Sequence, residues 1–597
     1  MVKPSETCAE KLKALRDQMQ RHGLDGYIVP RADEYQGEFV APYAERLKWL
    51  TGFTGSGGMA LVFQKKAFVL TDGRYLIQVK NQVDNAFFET GDYVKKPASQ
   101  WLSENVSEGA VIGYDPFLFT PQQIKRLQKE CGKKDANLKA INQNLIDVIW
   151  SDQPSPPNHP VSVFPEKIAG LSSKQKIKNV VSELIACNAQ AFIFSLPDSI
   201  AWLLNIRSSD IEYIPLALSY LLISRRGNVR WFIDPERVGK DVRKSLGKNV
   251  MICAPNDMGL QFMALAQTSL EGERPVLIDS RYTPVQIQSM LELRGADVKD
   301  HIDPAIAPKA CKTKTEIEAI RKAHIQDGIA LIKFLKWLEE NGEGHTETEI
   351  SDQLKSFRTQ SSAFRGNSFP TIAGYGSNGA IVHYRAEEET AETLKAGNLL
   401  LIDSGGQYAD NDTYGTTDIT RTIAIGEPTQ AMRDHNTLVL KGHIALAKAK
   451  FPKGTTGAQI DTLARKALWD HGYDFAHGTG HGVGCYLSVH EEAANISSRG
   501  QTAFEPGMLL SNEPGYYEEG QYGIRIENLI HVIEHETMLS FETISFAPLD
   551  KALINASLLN QDEIEWVNQY HQDVFNNLAD YLDESLTAWL KDKTSEL

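Results

Sequence analysis

The sequence predicts a chain of mixed α/β and α+β class, in which two copies of one α/β domain precede a larger α+β domain. Three observations carry this reading. The stretch "SDQPSPPNHPVSVFP" at 151–165 is dense in proline, which stops both helix and sheet and marks a linker. The segments before and after it repeat one order of apolar runs. Beyond about residue 312 the pattern changes to helices followed by strand-like runs, several of which end in a carboxylate. A length of 597 residues suits three domains at roughly 100–200 residues each. We read them as 1–155, 156–311 and 312–597.

The two copies are justified run by run. The first reads "DGYIVP", "LKWLTGFTGSGGMALVF", "AFVLTDGRY"; the second reads "QAFIFS", "IAWLLNIRSSDIEYIPLALSYLLIS", "VRWFIDPER". In each, an apolar strand leads to a Trp-Leu pair (Trp49-Leu50, Trp202-Leu203), a polar turn, a long buried strand and an outgoing strand ending at Asp72 or Asp234. Strand–helix stretches such as "ERPVLIDSRYTPVQIQSMLELRGA" complete the α/β alternation. The opening "MVKPSETCAEKLKALRDQMQ" is an amphipathic charged helix without an apolar signal core.

The third part begins with helices. "TIAGYGSNGAIVHY", "NLLLIDSGGQY", "TTDITRTIAIG", "GMLLSNEPGYY" and "YGIRIENLIHVI" then read as strands, interrupted by the helical "MRDHNTLVLKGHIALAKAKF" and "GAQIDTLARKALWDHG". After Asn560, apolar residues at Val567, Tyr570, Val574, Leu578, Leu582 and Leu586 follow helical periodicity, so one helix is expected to dock on this domain.

Composition bounds the partners. With 42% hydrophobic and 23% charged residues the chain is of ordinary globular type. A net charge of −15 argues against nucleic acid or an anionic membrane, and no run of about 18 apolar residues is present to span a bilayer. The six cysteines are scattered without a CxxC pair, so neither a zinc ribbon nor a disulfide framework is indicated, and Cys485 reads as a packed small residue. A cytoplasmic protein is expected.

The chemistry concentrates in "HGTGHGVGCYLSVHE", residues 477–491. Its glycines exclude a metalloprotease helix and suit a backbone that another segment approaches closely, with "CYLSVHE" as a short strand. Four acids stand at strand ends where apolar residues are expected: Asp403, Asp418, Glu513 and Glu527. Buried carboxylates are costly unless paired, hydrogen-bonded or bound to metal. Carboxylates with an imidazole make a mostly oxygen site suited to Mn²⁺, Co²⁺ or Zn²⁺. Five such ligands exceed the needs of one catalytic ion, and bridging carboxylates hold two ions about 3.5–4 Å apart.

"HGTGHGVG" with "VHE", "NEPGYY" and "GIRIEN" resembles the metal site of the pita-bread metallopeptidases. Nearly the whole chain resembles their long, three-domain cytosolic branch, the aminopeptidase P (Xaa-Pro aminopeptidase) type. The resemblance implies two creatinase-like N-terminal domains and a pita-bread catalytic domain. It also implies removal of the first residue from peptides with proline second, by a hydroxide bridging two divalent ions (Mn²⁺ first, Co²⁺ or Zn²⁺ as alternatives). A homodimer is implied, with no nucleic-acid or membrane partner. The implied metal ligands are Asp403, Asp418, His481, Glu513 and Glu527. His477 resembles a substrate-binding histidine, His490 one at the scissile carbonyl, and His383 a further active-site histidine. His383 and His490 would stabilise the tetrahedral intermediate, and Glu513 would shuttle the proton. Arg525, two before Glu527 and so on the same strand face, is expected on the substrate side of the site and could orient Glu527.

One departure stands out. Asp403 and Asp418 are fifteen residues apart, where the family has eleven. An extra four residues within "ADNDTY" explain this if they lengthen a hairpin loop; the alternative is that Asp410 or Asp412 replaces Asp403. Proline specificity rests on the resemblance alone, and a prolidase acting on Xaa-Pro dipeptides is the nearest rival. A catalytically silent peptide-binding relative would have lost ligands that are present here.

Overall fold

The structure is a computed structural model that describes residues 7–597. The chain divides into two compact units. One holds the chain up to Phe164 with Ser172–Glu212 and Leu216–Ala305; the other holds Pro165–Leu171, Tyr213–Pro215 and Ile306–Leu597.

The first unit contains the predicted repeat. One six-stranded sheet runs in the order Glu89–Asp92, Ala67–Thr71, Met59–Phe63, Gly26–Pro30, Val111–Tyr114, Asn137–Ala140. The other runs Val250–Cys253, Val229–Phe232, Tyr220–Ser224, Ala191–Phe194, Val276–Ile278, Val298–Asp300. Strand senses match pair for pair: the first strand of each copy has an antiparallel neighbour on one side and a parallel one on the other. The inner strands are mostly apolar because both faces are covered, whereas edge strands such as Glu89–Asp92 and Asn137–Ala140 are more polar and more exposed. Val29, Val62 and Val69 face one core and Ile28, Leu61 and Leu70 the other, as a two-residue period requires. The Trp-Leu pairs fall in short helices, Arg46–Thr51 and Pro197–Leu204. Asp72 and Asp234 follow the outgoing strands and accept from the backbone N–H of Arg74 and Glu236, starting a 3₁₀ turn in each copy. The N-terminal helix is Cys8–Arg21, held by a reciprocal Thr7–Glu10 cap. The portion of that expectation on residues 1–6 lies outside the described residues.

The second unit builds a helix pair followed by antiparallel strands, twice over. Helices Lys314–Asn341 and Glu347–Arg358 precede the sheet Ile372–Tyr375, Asn398–Ser404, Ile419–Ile425, and the sheet Phe364–Asn367, Gly406–Asp410, Thr413–Thr416. Helices Gln430–Ala447 and Gly457–Trp469 precede a six-stranded sheet and the hairpin Gly515–Glu518/Tyr522–Arg525. The short helix Ile306–Ala310 belongs here too, ahead of the residue-312 boundary read from the sequence. Lys309 and Lys312 at its end bury their ammonium groups on Glu491, at 3.4 Å for Lys309.

Four expected strands are each broken in two, and the breaks lie at or beside the four acids. "NLLLIDSGGQY" divides at Gly405, "TTDITRTIAIG" at Thr417-Asp418, "GMLLSNEPGYY" at Glu513-Pro514 and "YGIRIENLIHVI" at Ile526-Glu527. At each break the chain leaves one sheet for another; Asp418, Glu513 and Glu527 fall in the breaks themselves, while Asp403 is the penultimate residue of the strand Asn398–Ser404. Gly405 is required there: a Cβ would lie 1.9 Å from the Thr417 carbonyl oxygen. The tail is likewise two helices rather than one. Asn560 caps Gln561–Leu578, and Asp583 restarts the helix as Glu584–Lys593. It docks as expected. Val567, Val574 and Leu578 are fully buried with Leu438, Leu440 and Ile444, and the Tyr570 hydroxyl accepts from Arg421 Nη2 (2.7 Å). No helix among the described residues is long and apolar enough to cross a membrane.

Candidate metal centre

Two split hairpins meet at the site. In the first, Asp403 pairs across with Thr420, and Asp418 lies just before the strand Ile419–Ile425. In the second, Asn512 pairs with Asn528 and Gly515 with Arg525, so the two breaks, Glu513-Pro514 and Ile526-Glu527, face each other. Glu527 N–H donates to the Thr420 carbonyl (3.2 Å), joining the hairpins at their ligand positions. His481 arrives on the strand Gly480–Gly482, whose glycines admit close neighbours as expected. A Cβ on Gly480 would lie 2.0 Å from the Ser511 carbonyl oxygen, and one on Gly482 2.3 Å from that of Glu491.

Asp418, His481 and Glu527 offer ligand atoms that all lie within 4.8 Å of one another. His481 Nε2 is 3.5 Å from Asp418 Oδ2 and 3.4 Å from Glu513 Oε1. Asp403 is buried and charged by the same group: burial, then the charges of Asp418 and Glu513 against the pull of Arg525, raise its carboxyl to about 6. Burial and the same acidic neighbours hold Glu527 well above the usual carboxylate range. Burial opposes charge on His481, but Asp418 and Glu513 overcome it and raise the imidazole to about 9.

This crowding is the test of whether the residues fit metal ions. Four carboxylates and an imidazole converge, Arg525 bonds only one of the acids, and Asp403 Oδ1 is buried without any hydrogen-bond donor. A polar oxygen left bare in a buried, over-negative pocket is costly unless a cation completes it. The donor set, mostly oxygen with one nitrogen, suits divalent first-row ions. His481 Nδ1 lies 3.0 Å from the Gly482 carbonyl, which leaves Nε2 facing Asp418 and Glu513 as the atom that could ligate a metal. Thr420 Oγ1 donates to Glu527 Oε2 (2.7 Å), and Ser511 Oγ to Glu513 Oε1 (3.1 Å).

Asp410 and Asp412 stand apart from the cluster. The inserted residues extend the hairpin Gly406–Asp410/Thr413–Thr416, where Asp410 accepts from Ser362 and Asp412 pairs with Lys322. The strand carrying Asp403 is undisturbed.

Arg525 differs from the expectation. It donates to Asp403 Oδ2 (2.6 Å), to the Tyr517 hydroxyl (2.7 Å) and to Thr420 Oγ1 (3.2 Å), so it orients Asp403, while Thr420 orients Glu527. The strand Tyr522–Arg525 ends at Arg525, so Arg525 and Glu527 do not share a strand face. The arginine is 2% exposed and fully engaged, which places it behind Asp403 and not on an open substrate surface. Tyr517, unassigned within the quoted "NEPGYY", is the residue missed: it accepts from Arg525 and is left to donate to His477 Nε2 at 2.8 Å. His477 Nδ1 lies 2.8 Å from the Gly478 carbonyl, and burial lowers the imidazole pKa. His490 is exposed, its ring centroid 4.3 Å from that of His481 in an edge-on pairing. "CYLSVHE" is not a strand; pairing begins at Glu491, and Tyr486 has φ +50°. The burial alternation expected of it, Cys485, Leu487 and Val489 in and His490 out, is nevertheless present. His383 lies in an irregular segment after the strand Ile372–Tyr375, not within a strand.

The fold and this cluster define the class as a metal-dependent hydrolase. The profile of Metallopeptidase family M24 matches residues 318–534, and that of the C-terminal region of peptidase M24 matches 537–597. Two Creatinase/Prolidase N-terminal domain profiles match 11–147 and 152–316. A probable Xaa-Pro aminopeptidase P of Paracoccidioides brasiliensis is 39% identical, over 99% of each chain, and one of Neurospora crassa is 38% identical, over 98% of this chain and 89% of that one. The crystal structure of an X-prolyl aminopeptidase from Caenorhabditis elegans, described as a cytosolic enzyme with a di-nuclear active site, superposes with a TM-score of 0.92. It is 34% identical and covers 99% of this chain and 100% of that one. An Xaa-Pro dipeptidase from Bacillus anthracis shares the fold at 24% identity and a TM-score of 0.52, over 64% of this chain and 99% of its own. The chain belongs to the M24 metallopeptidase family, among the relatives named as Xaa-Pro aminopeptidase P.

Proposed function

We propose that this chain removes the N-terminal residue from peptides with proline in the second position, using two divalent ions held by Asp403, Asp418, His481, Glu513 and Glu527. The observation that carries the metal reading is the bare, buried Oδ1 of Asp403, beside the three other carboxylates of the set. The Xaa-Pro specificity is supported by relatives that match end to end under that name. Two such ions would supply Lewis acidity that makes water a nucleophile near neutral pH.

The chain's own groups do the rest. Arg525 and Thr420 fix Asp403 and Glu527, so the ligands need not reorganise during turnover. Glu513 is the partly exposed acid of the set, with 18% of its side chain accessible, and can take a proton from water and pass it to the departing proline nitrogen. As in any amide hydrolysis, that nitrogen must gain a proton to leave as an amine, and the Xaa-Pro bond offers no N–H for the enzyme to bind. His490 donates to the carbonyl oxygen where charge develops, together with His383. His477, set by Tyr517, contacts the substrate. We further propose Mn²⁺ as the working ion, with Co²⁺ or Zn²⁺ as alternatives, and a homodimer acting in the cytoplasm. The oxygen-rich donors support Mn²⁺, the description of the nematode relative supports the compartment, and the family resemblance supports the dimer. The domain limits 1–155, 156–311 and 312–597 are supported by the profile matches, with the helix Ile306–Ala310 packed on the catalytic part.

The test is hydrolysis of an Xaa-Pro-Xaa tripeptide, an Xaa-Pro dipeptide and a Met-Ala-Xaa tripeptide by the metal-loaded protein. Release of the first residue from the Xaa-Pro-Xaa peptide is expected; cleavage of the dipeptide alone would make it a prolidase.

A further inference from the structure

His383 sits in a segment without regular structure, yet the two ends of that segment close on one side chain. Glu347, at the first position of the helix Glu347–Arg358, is fully buried. Its carboxylate accepts the Tyr375 N–H (2.7 Å) at the end of the strand Ile372–Tyr375, and both Asn378 Nδ2 contacts (3.1 Å each). It also accepts the Tyr384 hydroxyl (2.7 Å) and the Glu392 N–H (2.9 Å). Every one of these donors belongs to residues 375–392. The far end is zipped further, with Glu347 N–H on the Glu392 carbonyl (3.1 Å), Gly344 N–H on Leu394 (2.9 Å) and Leu394 N–H on His345 (2.9 Å). The result is a loop whose two ends are drawn together on the Glu347 carboxylate.

The loop abuts the site. Ile381, Tyr384 and Ala386 pack with Ile372, Leu401 and Tyr517, the tyrosine that bonds both His477 and Arg525. Its 3₁₀ turn Gly376–Ala380 lies against the strand that carries Arg525: a Cβ on Gly523 would fall 1.7 Å from the Gly379 carbonyl oxygen. A buried carboxylate satisfied by several donors is rigid, because each donor would be left unpaired if the loop moved. Tyr384, adjacent to His383, is the donor nearest the histidine in sequence.

We propose that Glu347 is a positioning residue: it holds loop 375–392 shut and so sets the His383 imidazole toward the reacting carbonyl. This deepens the proposed function and rests on the role given there to His383. Glu347 touches neither substrate nor the candidate metal ligands, so its effect should appear in turnover and not in metal binding.

The test measures kcat and KM on an Xaa-Pro-Xaa tripeptide, and Mn²⁺ affinity by calorimetry, for Tyr384→Phe, Glu347→Gln, Glu347→Asp and His383→Ala, singly and with His383→Ala as the background. Tyr384→Phe removes one hydroxyl from a folded loop, and should lower kcat/KM about tenfold, since sub-ångström misplacement of a catalytic group is felt strongly, with Mn²⁺ affinity unchanged within twofold. Glu347→Gln should lower it further, and Glu347→Asp should recover part of the loss. In the His383→Ala background neither change should add to the loss, because the groups act as a unit. Fully additive losses, or weakened Mn²⁺ binding in Tyr384→Phe, would overturn the proposal while leaving the His383 role standing. An unimpaired His383→Ala enzyme would overturn that role and the proposal with it.

Discussion

Without metal, the site should make the protein less stable as pH rises. His481 is raised to about 9 in the folded chain by Asp418 and Glu513, against about 6.5 for free imidazole. A group whose folded pKa is raised contributes stability that is complete below the unfolded value and lost as pH climbs through the folded one. The difference corresponds to about 3 kcal/mol of stability present at pH 6 and absent above pH 9. Asp403, raised to about 6, acts in the same direction over a lower window, losing its contribution as pH rises from about 4 to 6. For a catalytic domain of this size about 3 kcal/mol is a fall in Tm of roughly 6–12 °C. Metal reverses the sign, because ligands bind it deprotonated and its affinity therefore rises with pH. The assay is scanning calorimetry of the catalytic transition at pH 6, 7, 8 and 9, for chelator-stripped and Mn²⁺-loaded protein and for stripped His481→Gln. The stripped wild type should lose stability between pH 6.5 and 9, the variant should lose much less, and the loaded protein should gain relative to the stripped form at every step. Equal slopes for stripped wild type and variant would refute the reasoning.

Three further outcomes follow from the same contacts. Arg525→Lys keeps the charge but cannot reach Asp403, Tyr517 and Thr420 together, so Mn²⁺ affinity measured by calorimetry should fall about 10–100-fold. Asp403→Asn should cost at least one bound ion by metal analysis, whereas Asp412→Asn, which removes only an exposed pair with Lys322, should leave metal content intact. Glu491→Gln removes the buried carboxylate that faces the Lys309 and Lys312 ammonium groups and should destabilise by about 3–5 kcal/mol in urea unfolding.

The duplicated α/β architecture could be read because each copy keeps its order of apolar strand, Trp-Leu helix and Asp-capped turn. The acids were legible for a simpler reason: Asp403, Asp418, Glu513 and Glu527 interrupt apolar runs, and a carboxylate there demands an explanation. The departures concern what happens around them. A run such as "YGIRIENLIHVI" does not show that it changes sheets at Ile526-Glu527, because both halves satisfy strand preferences, and so the facing of Arg525 was misjudged. Tyr517 and Thr420 act through contacts made across sheets, for which spacing in the chain holds no signal. Glu347 is hidden still more fully: an acid in the first turn of a helix is ordinary capping chemistry, and its partners lie 28 to 45 residues away. The break in the tail was visible in Asp583, a good N-cap residue, but the continuous apolar spacing through Leu582 and Leu586 masked it.

The central claim is that five side chains hold two ions whose presence switches on Xaa-Pro hydrolysis. The most direct measurement strips the purified protein with chelator, restores Mn²⁺ in steps, and records bound metal per chain alongside release of the first residue from an Xaa-Pro-Xaa tripeptide. Activity that returns as occupancy approaches two ions per chain, and that fails to return in Asp403→Asn, is the predicted result; full activity in the stripped protein, or none at any occupancy, would contradict it.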